Sequence, residues 1–474
     1  MEDNLPPMYK HQKEIVERSL LMDEVALFHN MGTGKTRSVI ESLRAIFNIQ
    51  KRTYRVLILG VPAVIYNWRN EILKFSKIPE RSIYVCASGS NRDKKLLKAI
   101  ESGAQIITIN YEALLSEKIF KILQEWRPEI LVCDEIHNCK NPTAKRSKKV
   151  YELSQGTFKR FILTGTPILR NMMDIFMQFK ILDHGKTFGH NYFAFRAKYF
   201  VDKNAAWSGR PNHFPEFVPR PDTQEELLNR MKSKAHVVET KDCIDLPPYI
   251  ETIETVEMGK NQKAAYEQMR DYLITFIEEN MDKPSVATIA PVKALRLLQI
   301  VSGHLTQEDG KVVQFENPKL ERLMEILDDI VPENKVIIWT EFKNDIAVIS
   351  TELKAKGYNF VIVSGEQSTQ EKQKAVDDFQ KDPSVNIFLG NTASGGTGIN
   401  LTEAKYSIRF SRSFNLGNAL QSAARNYRGG SQIHDSIINI NLSIKDTIDE
   451  KVAQALMSKE NIGKNMMQFI KENA

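Results

Sequence analysis

The stretch LFHNMGTGKTRSV, residues 27–39, holds the residue types that bind phosphate. In a G-x-x-x-x-G-K-[ST] loop, backbone N–H groups cradle the phosphates, the lysine reaches the β/γ-phosphates and the hydroxyl holds Mg²⁺. Lys35 and Thr36 fit those two roles, and Gly32, Thr33 and Gly34 form the turn that brings backbone close to the anion. The first glycine of the strict pattern would fall at position 29, which is His29. EVALFHN reads as a strand before this turn and KTRSVIESLRAIFN as a helix after it. The loop therefore opens onto a helix N-terminus, where unpaired N–H groups and the positive dipole end favour anions.

Three other segments could complete a phosphate-cleaving centre. LVCDEIHN, residues 131–138, is an apolar strand ending in two adjacent carboxylates, a costly arrangement unless a cation or strong donors sit there. Asp134 suits a place in the Mg²⁺ shell, and Glu135 can polarise an attacking water. In RNYRGG, after Gln421, Arg425 and Arg428 are spaced to share one face of a helix and neutralise charge on a transferring phosphoryl group. An isolated pair of this kind is more often a solvated face; only the accompanying segments give it a role. The loop GNTASGGTGINLTEA, residues 390–404, offers N–H and hydroxyl groups to phosphates, with Gly396 a candidate nucleotide contact.

These groups need a scaffold that places strand ends side by side. RVLILGV (55–61), QIITIN (105–110), EILVCDE (129–135) and RFILTGT (160–166) are short apolar runs bounded by Gly, Asn or charge, as expected of buried parallel strands. Helix-like stretches such as NWRNEILKFS separate them, which implies a parallel sheet with right-handed crossovers. The rhythm resumes with KVIIWTEF, NFVIVSG, VNIFLGN, YSIRFS and SIININ, giving a second α/β lobe. The expected division is a first lobe over 1–167, a helical extension over 168–236, a linker over 237–250 and a helical insertion over 251–316. A second lobe over 317–474 follows. The proline pair of DLPPYIE marks the linker, since it suits neither a helix nor a central strand.

The composition sets outer limits. With 42% hydrophobic and 26% charged residues the chain reads as globular, and no apolar run is long enough for a membrane span. Its four cysteines form no C-x-x-C pair, which argues against a zinc site and a disulfide scaffold and for a reducing, cytoplasmic setting. The net charge of +6 permits a nucleic-acid partner without demanding one.

In this order the segments resemble helicase superfamily two, and within it the Swi/Snf-type ATP-dependent DNA translocases. MYKHQKEIV is similar to the adenine-recognition segment, with Gln12 at the glutamine position. MGTGKT resembles motif I, IITINYEAL motif Ib, DEIH the DExH box and LTGTPILRN motif III. FGHNYFAFRAKYF followed by VVETKDCIDLPP resembles the region that sets this family apart from other helicases. KVIIWTEF is similar to motif IV, and QSAARNYRGGSQ to motif VI, with Arg428 at the arginine-finger position. Three departures stand out: Ile136 in the DExH box, Ser431 inserted before Gln432, and His29.

The resemblance implies an α/β fold of two RecA-like parallel-sheet lobes with helical insertions between them. It implies ATP and Mg²⁺ bound through Gln12, Lys35, Thr36 and Asp134, with Arg425 and Arg428 supplied by the second lobe. Double-stranded or branched DNA is the expected partner, stepped along its phosphates, with Asn110, Arg170, Thr340, Ser364 and Thr392 as candidate contacts. The expected protein is a monomeric motor without reader modules, suited to a bacterial or phage-infected cell. A strand-separating or branch-migrating DNA helicase and an RNA helicase are the competing expectations; a clamp that does not hydrolyse ATP fits poorly with intact Lys35, Asp134, Glu135 and Arg428.

Overall fold

The computed structural model describes residues 5–169, 171–205, 215–243, 245–280, 286–331, 333–395 and 399–472. The chain divides into two compact units, one of Met1–Lys203, Glu216–Ile244 and Asn461–Ala474, the other of Asn204–Pro215 and Asp245–Glu460.

The first unit is built on strands β1 (Glu24–His29), β2 (Val56–Gly60), β3 (Ile83–Cys86), β4 (Ile106–Asn110), β5 (Ile130–Asp134), β6 (Lys159–Leu163) and β9 (Ala235–Val238). They form one sheet in the order β3-β4-β2-β5-β6-β1-β9, and each neighbouring pair is parallel. A short antiparallel pair, β7 (Phe200–Asp202) and β8 (Phe217–Pro219), stands apart.

The apolar runs are continuous because both faces of the sheet are covered. Val25 and Leu27 of β1 pack into one core with Ile58, Val132 and Phe161, while Ala26 and Phe28 pack into another with Leu57, Leu59 and Cys133. Helices α1 (Lys10–Leu21), α2 (Lys35–Gln50) and α3 (Pro62–Phe75) contribute Ile15, Val39 and Trp68 to the first of these cores. The aromatic run YFAFRAKYF serves the second: the Phe195 ring lies 5.0 Å from Phe176 and 5.1 Å from Phe188.

The second unit repeats the plan with β10 (Tyr249–Val256), β13 (Lys335–Thr340), β14 (Phe360–Val363), β15 (Ile387–Asn391), β16 (Ala404–Arg409) and β17 (Ile437–Ile444). Their order is β10-β17-β16-β13-β15-β14, again with every pair parallel. A hairpin of β11 (His304–Thr306) and β12 (Val312–Gln314) and helices Lys260–Asn280 and Val286–Val301 occupy the segment between β10 and β13. The α/β architecture of two parallel sheets is therefore as the strand rhythm and the resemblance imply.

In the two large sheets three strands fall where the sequence reading placed none, and the pairs β7–β8 and β11–β12 lie in segments expected to be helical. β3, IYVC, is an apolar run of only four residues. β9 overlaps the segment expected as linker, and β10 lies largely in the segment expected as a helical insertion. The sequence of β10, YIETIETV, mixes apolar and polar residues without a buried face, as suits a strand at the edge of its sheet. Among the described residues, no helix is long and apolar enough to cross a membrane.

Candidate active site

Parallel strands end on the same side, so His29 of β1, Asn110 of β4, Asp134 of β5 and Leu163 of β6 lie along one edge of the first sheet. That carboxyl edge is where open α/β sheets place their ligands. From β1 the chain turns through Asn30–Thr33 into α2, whose N-cap is Gly34. Gly32 and Gly34 have φ of 79° and 80°, left-handed values that an L side chain resists. At Gly34 a Cβ would also collide with Gln12 Nε2.

Lys35, the first residue of α2, donates from Nζ to the carbonyls of His29 at 2.8 Å and Asn30 at 3.1 Å. Thr33 is buried, and its hydroxyl donates to the Asn30 carbonyl at 2.8 Å. Gln12 Nε2 donates to the Gly34 carbonyl at 3.3 Å, and Gln12 Oε1 accepts from the Tyr9 N–H at 3.0 Å. The adenine-segment glutamine is thus tied to the phosphate loop. Gly165, on the turn after β6, approaches the same loop: a Cβ there would sit 3.2 Å from the His29 carbonyl.

Asp134 closes β5 with its carboxylate buried. Oδ2 accepts from Trp68 Nε1–H at 2.9 Å and Oδ1 from the Glu135 N–H at 2.9 Å. Tyr111 donates its hydroxyl to the Asp134 carbonyl at 2.7 Å. Burial and the adjacent Glu135 carboxylate raise the Asp134 pKa to about 6, against the pull of Lys35 and Trp68. A carboxylate held in this state is a good acceptor for a cation, and with the Thr36 hydroxyl it offers the hard oxygen ligands that Mg²⁺ takes. Among the described residues no group of three or more His, Cys, Asp or Glu could hold a metal.

Glu135 has a left-handed backbone, φ 52°, and its carbonyl accepts from Asn138 Nδ2 at 2.9 Å. Its Oε2 lies 3.3 Å from the Thr164 hydroxyl and 3.3 Å from His137 Nδ1, and the latter two are 3.0 Å apart. Strained backbone of this kind persists where the surroundings over-determine it, typically at functional sites. Trp68, Tyr111, His137 and Thr164 therefore shape the carboxylate pair, although sequence reasoning did not single them out. The quoted DExH and LTGT segments contain His137 and Thr164; only the fold reveals that they meet.

In the second unit, the helix Leu416–Ala423 ends before the arginine pair. The expectation that Arg425 and Arg428 share a helix face is corrected: both lie in the turn leading to Gly429-Gly430, and Gly430 has φ of 108°. They converge all the same, because Arg425 Nη1 donates to the Ile399 carbonyl at 3.2 Å and Arg428 Nη1 to the same oxygen at 3.3 Å.

The nucleic-acid candidates fare differently. Asn110 is buried, accepting from Arg92 at 2.6 Å and donating to Glu112 at 3.0 Å. Thr340 is fully buried with its hydroxyl directed at the Gly390 carbonyl, 3.4 Å away. Thr392 is buried and donates to Glu341. These three side chains point inward and are engaged by the protein. Ser364 is half-buried, with its N–H donating to Gln367 at 2.9 Å. Arg170 and Gly396 lie outside the described residues.

The second unit also holds a buried acid. Asp345 Oδ2 accepts from the Ser411 hydroxyl at 2.6 Å, while Oδ1 is 3.5 Å from His304 Nδ1, and neither Oδ1 nor that nitrogen has a hydrogen-bond partner. Burial lifts the Asp345 pKa from 3.8 to about 7 and lowers that of His304 to about 4. A folded pKa above the unfolded one means the ionised acid destabilises the fold, fully above pH 7 and less as pH falls towards 4. An amide at this position keeps the Ser411 bond and gives His304 Nδ1 a donor. Asp345→Asn is therefore expected to stabilise the protein by about 2 kcal/mol at pH 8. Thermal unfolding of both proteins from pH 8 to pH 5 checks this, with the gap expected to narrow towards the acid end.

Comparison with known proteins places this geometry. The family model of the SNF2-related domain matches residues 11–304, more than half of the chain, and that of the helicase conserved C-terminal domain matches residues 318–430. The chain is similar to an uncharacterised ATP-dependent helicase of Mycoplasma pneumoniae, 25% identical over 92% of this chain and 39% of that protein. It is also similar to Zorya protein ZorD of Escherichia coli, 25% identical over 93% of this chain and 42% of that protein. The chain thus spans about two fifths of the length of these curated relatives. Among solved structures, the SWI2/SNF2 ATPase core of Sulfolobus solfataricus in complex with dsDNA aligns with 26% identity, covering 98% of this chain and 95% of that one, at a TM-score of 0.44.

Proposed function

The chain belongs to the SNF2-related family, and from that premise we propose that it is an ATP-driven motor that hydrolyses ATP·Mg²⁺ to move along double-stranded DNA. The observation that carries the reading is the meeting, on one sheet edge, of a glycine loop with Lys35 and a strand-end carboxylate pair. Lys35 exchanges its two loop carbonyls for the β/γ-phosphates, and Gln12, already bonded to the loop, reports whether adenine is in place. Mg²⁺, when bound by Thr36 and Asp134, neutralises charge on the phosphates. Glu135 orients the attacking water and accepts its proton, held in place by Thr164 and His137. Arg425 and Arg428, converging in the second unit, stabilise the charge that develops on the transferring phosphoryl group. The cycle of engagement and release moves the track because ATP and its products differ in affinity for the two states.

Duplex DNA is recognised through its phosphates, so affinity falls with salt and is indifferent to sequence. The test is steady-state ATP hydrolysis with no nucleic acid, duplex DNA, single-stranded DNA and RNA, alongside triplex displacement and fork unwinding. The expected result is stimulation by duplex DNA and displacement of a third strand without separation of the duplex. Stimulation by RNA alone overturns the reading, and unwinding of forks without triplex displacement replaces translocation with strand separation.

A further inference from the structure

His29, the residue that breaks the glycine pattern of the phosphate loop, is part of a buried histidine chain. Its Nε2 is 3.0 Å from Nδ1 of His236 on the neighbouring strand β9, and His236 Nε2 is 3.3 Å from Glu14 Oε2 on α1. A third ring, His11, meets His29 edge-on with centroids 5.7 Å apart, and its Nε2 is 2.8 Å from the carbonyl of Thr33 in the loop itself. One assignment of protons satisfies every contact. A carboxylate only accepts, so His236 carries its proton on Nε2, and its bare Nδ1 accepts from His29 Nε2–H. A carbonyl only accepts, so His11 also carries its proton on Nε2, leaving Nδ1 facing the Cys243 thiol at 3.2 Å. Among the described residues, His29 Nδ1 is then a buried lone pair without a hydrogen-bond partner.

We propose that His29, His236 and His11 are positioning residues for the phosphate loop, three neutral imidazoles that fix both of its ends in the shape that accepts nucleotide. His29 holds the exit of β1 through β9 and α1, and His11 holds Thr33, one residue before Gly34. The proposal rests on the reading that this loop binds ATP. A proton gained by the His29–His236 pair places a cation beside the Lys35 ammonium. Put on His236, it also turns Nδ1–H towards His29 Nε2–H and breaks the bond unless the His29 tautomer flips.

The groups facing the pair are His11, Glu14 and Arg18 on α1 and Lys35 on α2. Asp242 and Cys243, in the turn after β9, face His11. Burial is the largest cause lowering all three histidine pKa values below the ordinary 6.5. The neutral, binding-competent form therefore prevails at neutral pH and is lost on acidification.

The test measures ADP affinity from pH 8 to pH 5.5 for the wild type, His236→Asn and Lys35→Ala. An asparagine Oδ1 stands where Nδ1 was, still accepts from His29 and cannot titrate. The wild type is expected to lose affinity severalfold on acidification, less than the roughly tenfold an unshifted histidine would give, and His236→Asn by about half of that or less. Titration of the nucleotide's own phosphate is common to both proteins and cancels. If His236→Asn weakens as steeply as wild type, the positioning role fails while the ATP reading stands. If the wild type binds no ADP at pH 8, or Lys35→Ala binds it equally well, the ATP reading fails and takes the proposal with it. Should His236→Asn not fold, ¹⁵N NMR of histidine-labelled wild type decides: Nε2–H tautomers at His29 and His236 support the chain, and an Nδ1–H tautomer or imidazolium at His29 at pH 7.5 overturns it.

Discussion

Glu135→Gln is expected to lower kcat for ATP hydrolysis by about 10²–10⁴-fold while ATP binding changes little. The substitution is nearly isosteric, so the left-handed backbone at 135 and its bonds to Asn138 and to Asp134 Oδ1 are retained. A glutamine can still meet Thr164 and His137, both about 3.3 Å from the carboxylate. What disappears is the negative charge and the capacity to take a proton from water. Removing one of two adjacent carboxylates also relieves Asp134, whose pKa of about 6 owes part of its rise to Glu135. A phosphate-release assay run beside a fluorescent-nucleotide binding assay checks both halves, and hydrolysis at the wild-type rate would sink the assignment of Glu135.

Arg428→Ala is the second large expected effect, a loss of about 10³-fold or more in kcat with nucleotide binding to the first unit retained. Arg428 is half-buried and donates to the Ile399 carbonyl, so its removal costs little packing. Arg425 differs: it is buried, so truncation there leaves a cavity in the turn. A lower melting point is thus expected for Arg425→Ala and not for Arg428→Ala. Arg428→Lys keeps the charge but loses the planar fork, and recovery of less than the full rate is expected. Single-turnover hydrolysis with excess enzyme separates the chemical step from binding. An Arg428→Ala protein that turns over normally would remove the arginine from the mechanism.

Much of the site is readable from residues alone because parallel sheets are locally written. Each central strand of the first unit is an apolar run, and the chemistry sits at its end: His29 into Gly34-Lys35 after β1, and Asp134-Glu135 at the close of β5. Strands with weaker local signals were missed. β3 has four residues, and β9 and β10 lie at sheet edges, where pairing and not composition makes the strand. The turn at Arg425 reads as helix in the sequence because a spacing of three suits either conformation, whereas the helix ends at Ala423.

The sequence by itself determined the two parallel-sheet lobes, the phosphate loop and the acid pair, since each depends on residues close together in the chain. Tertiary structure alone decided which side chains surround them. Glu135 meets Thr164 from 29 residues away, and His29 meets His236 from 207 residues away. It also turned the Thr340 hydroxyl towards the Gly390 carbonyl and that of Thr392 onto Glu341. The physical reason is the same in each case. Hydrogen bonds between distant residues are set by strand order and register, and a departure such as His29 acquires meaning only when the fold places His236 and Glu14 in line with it.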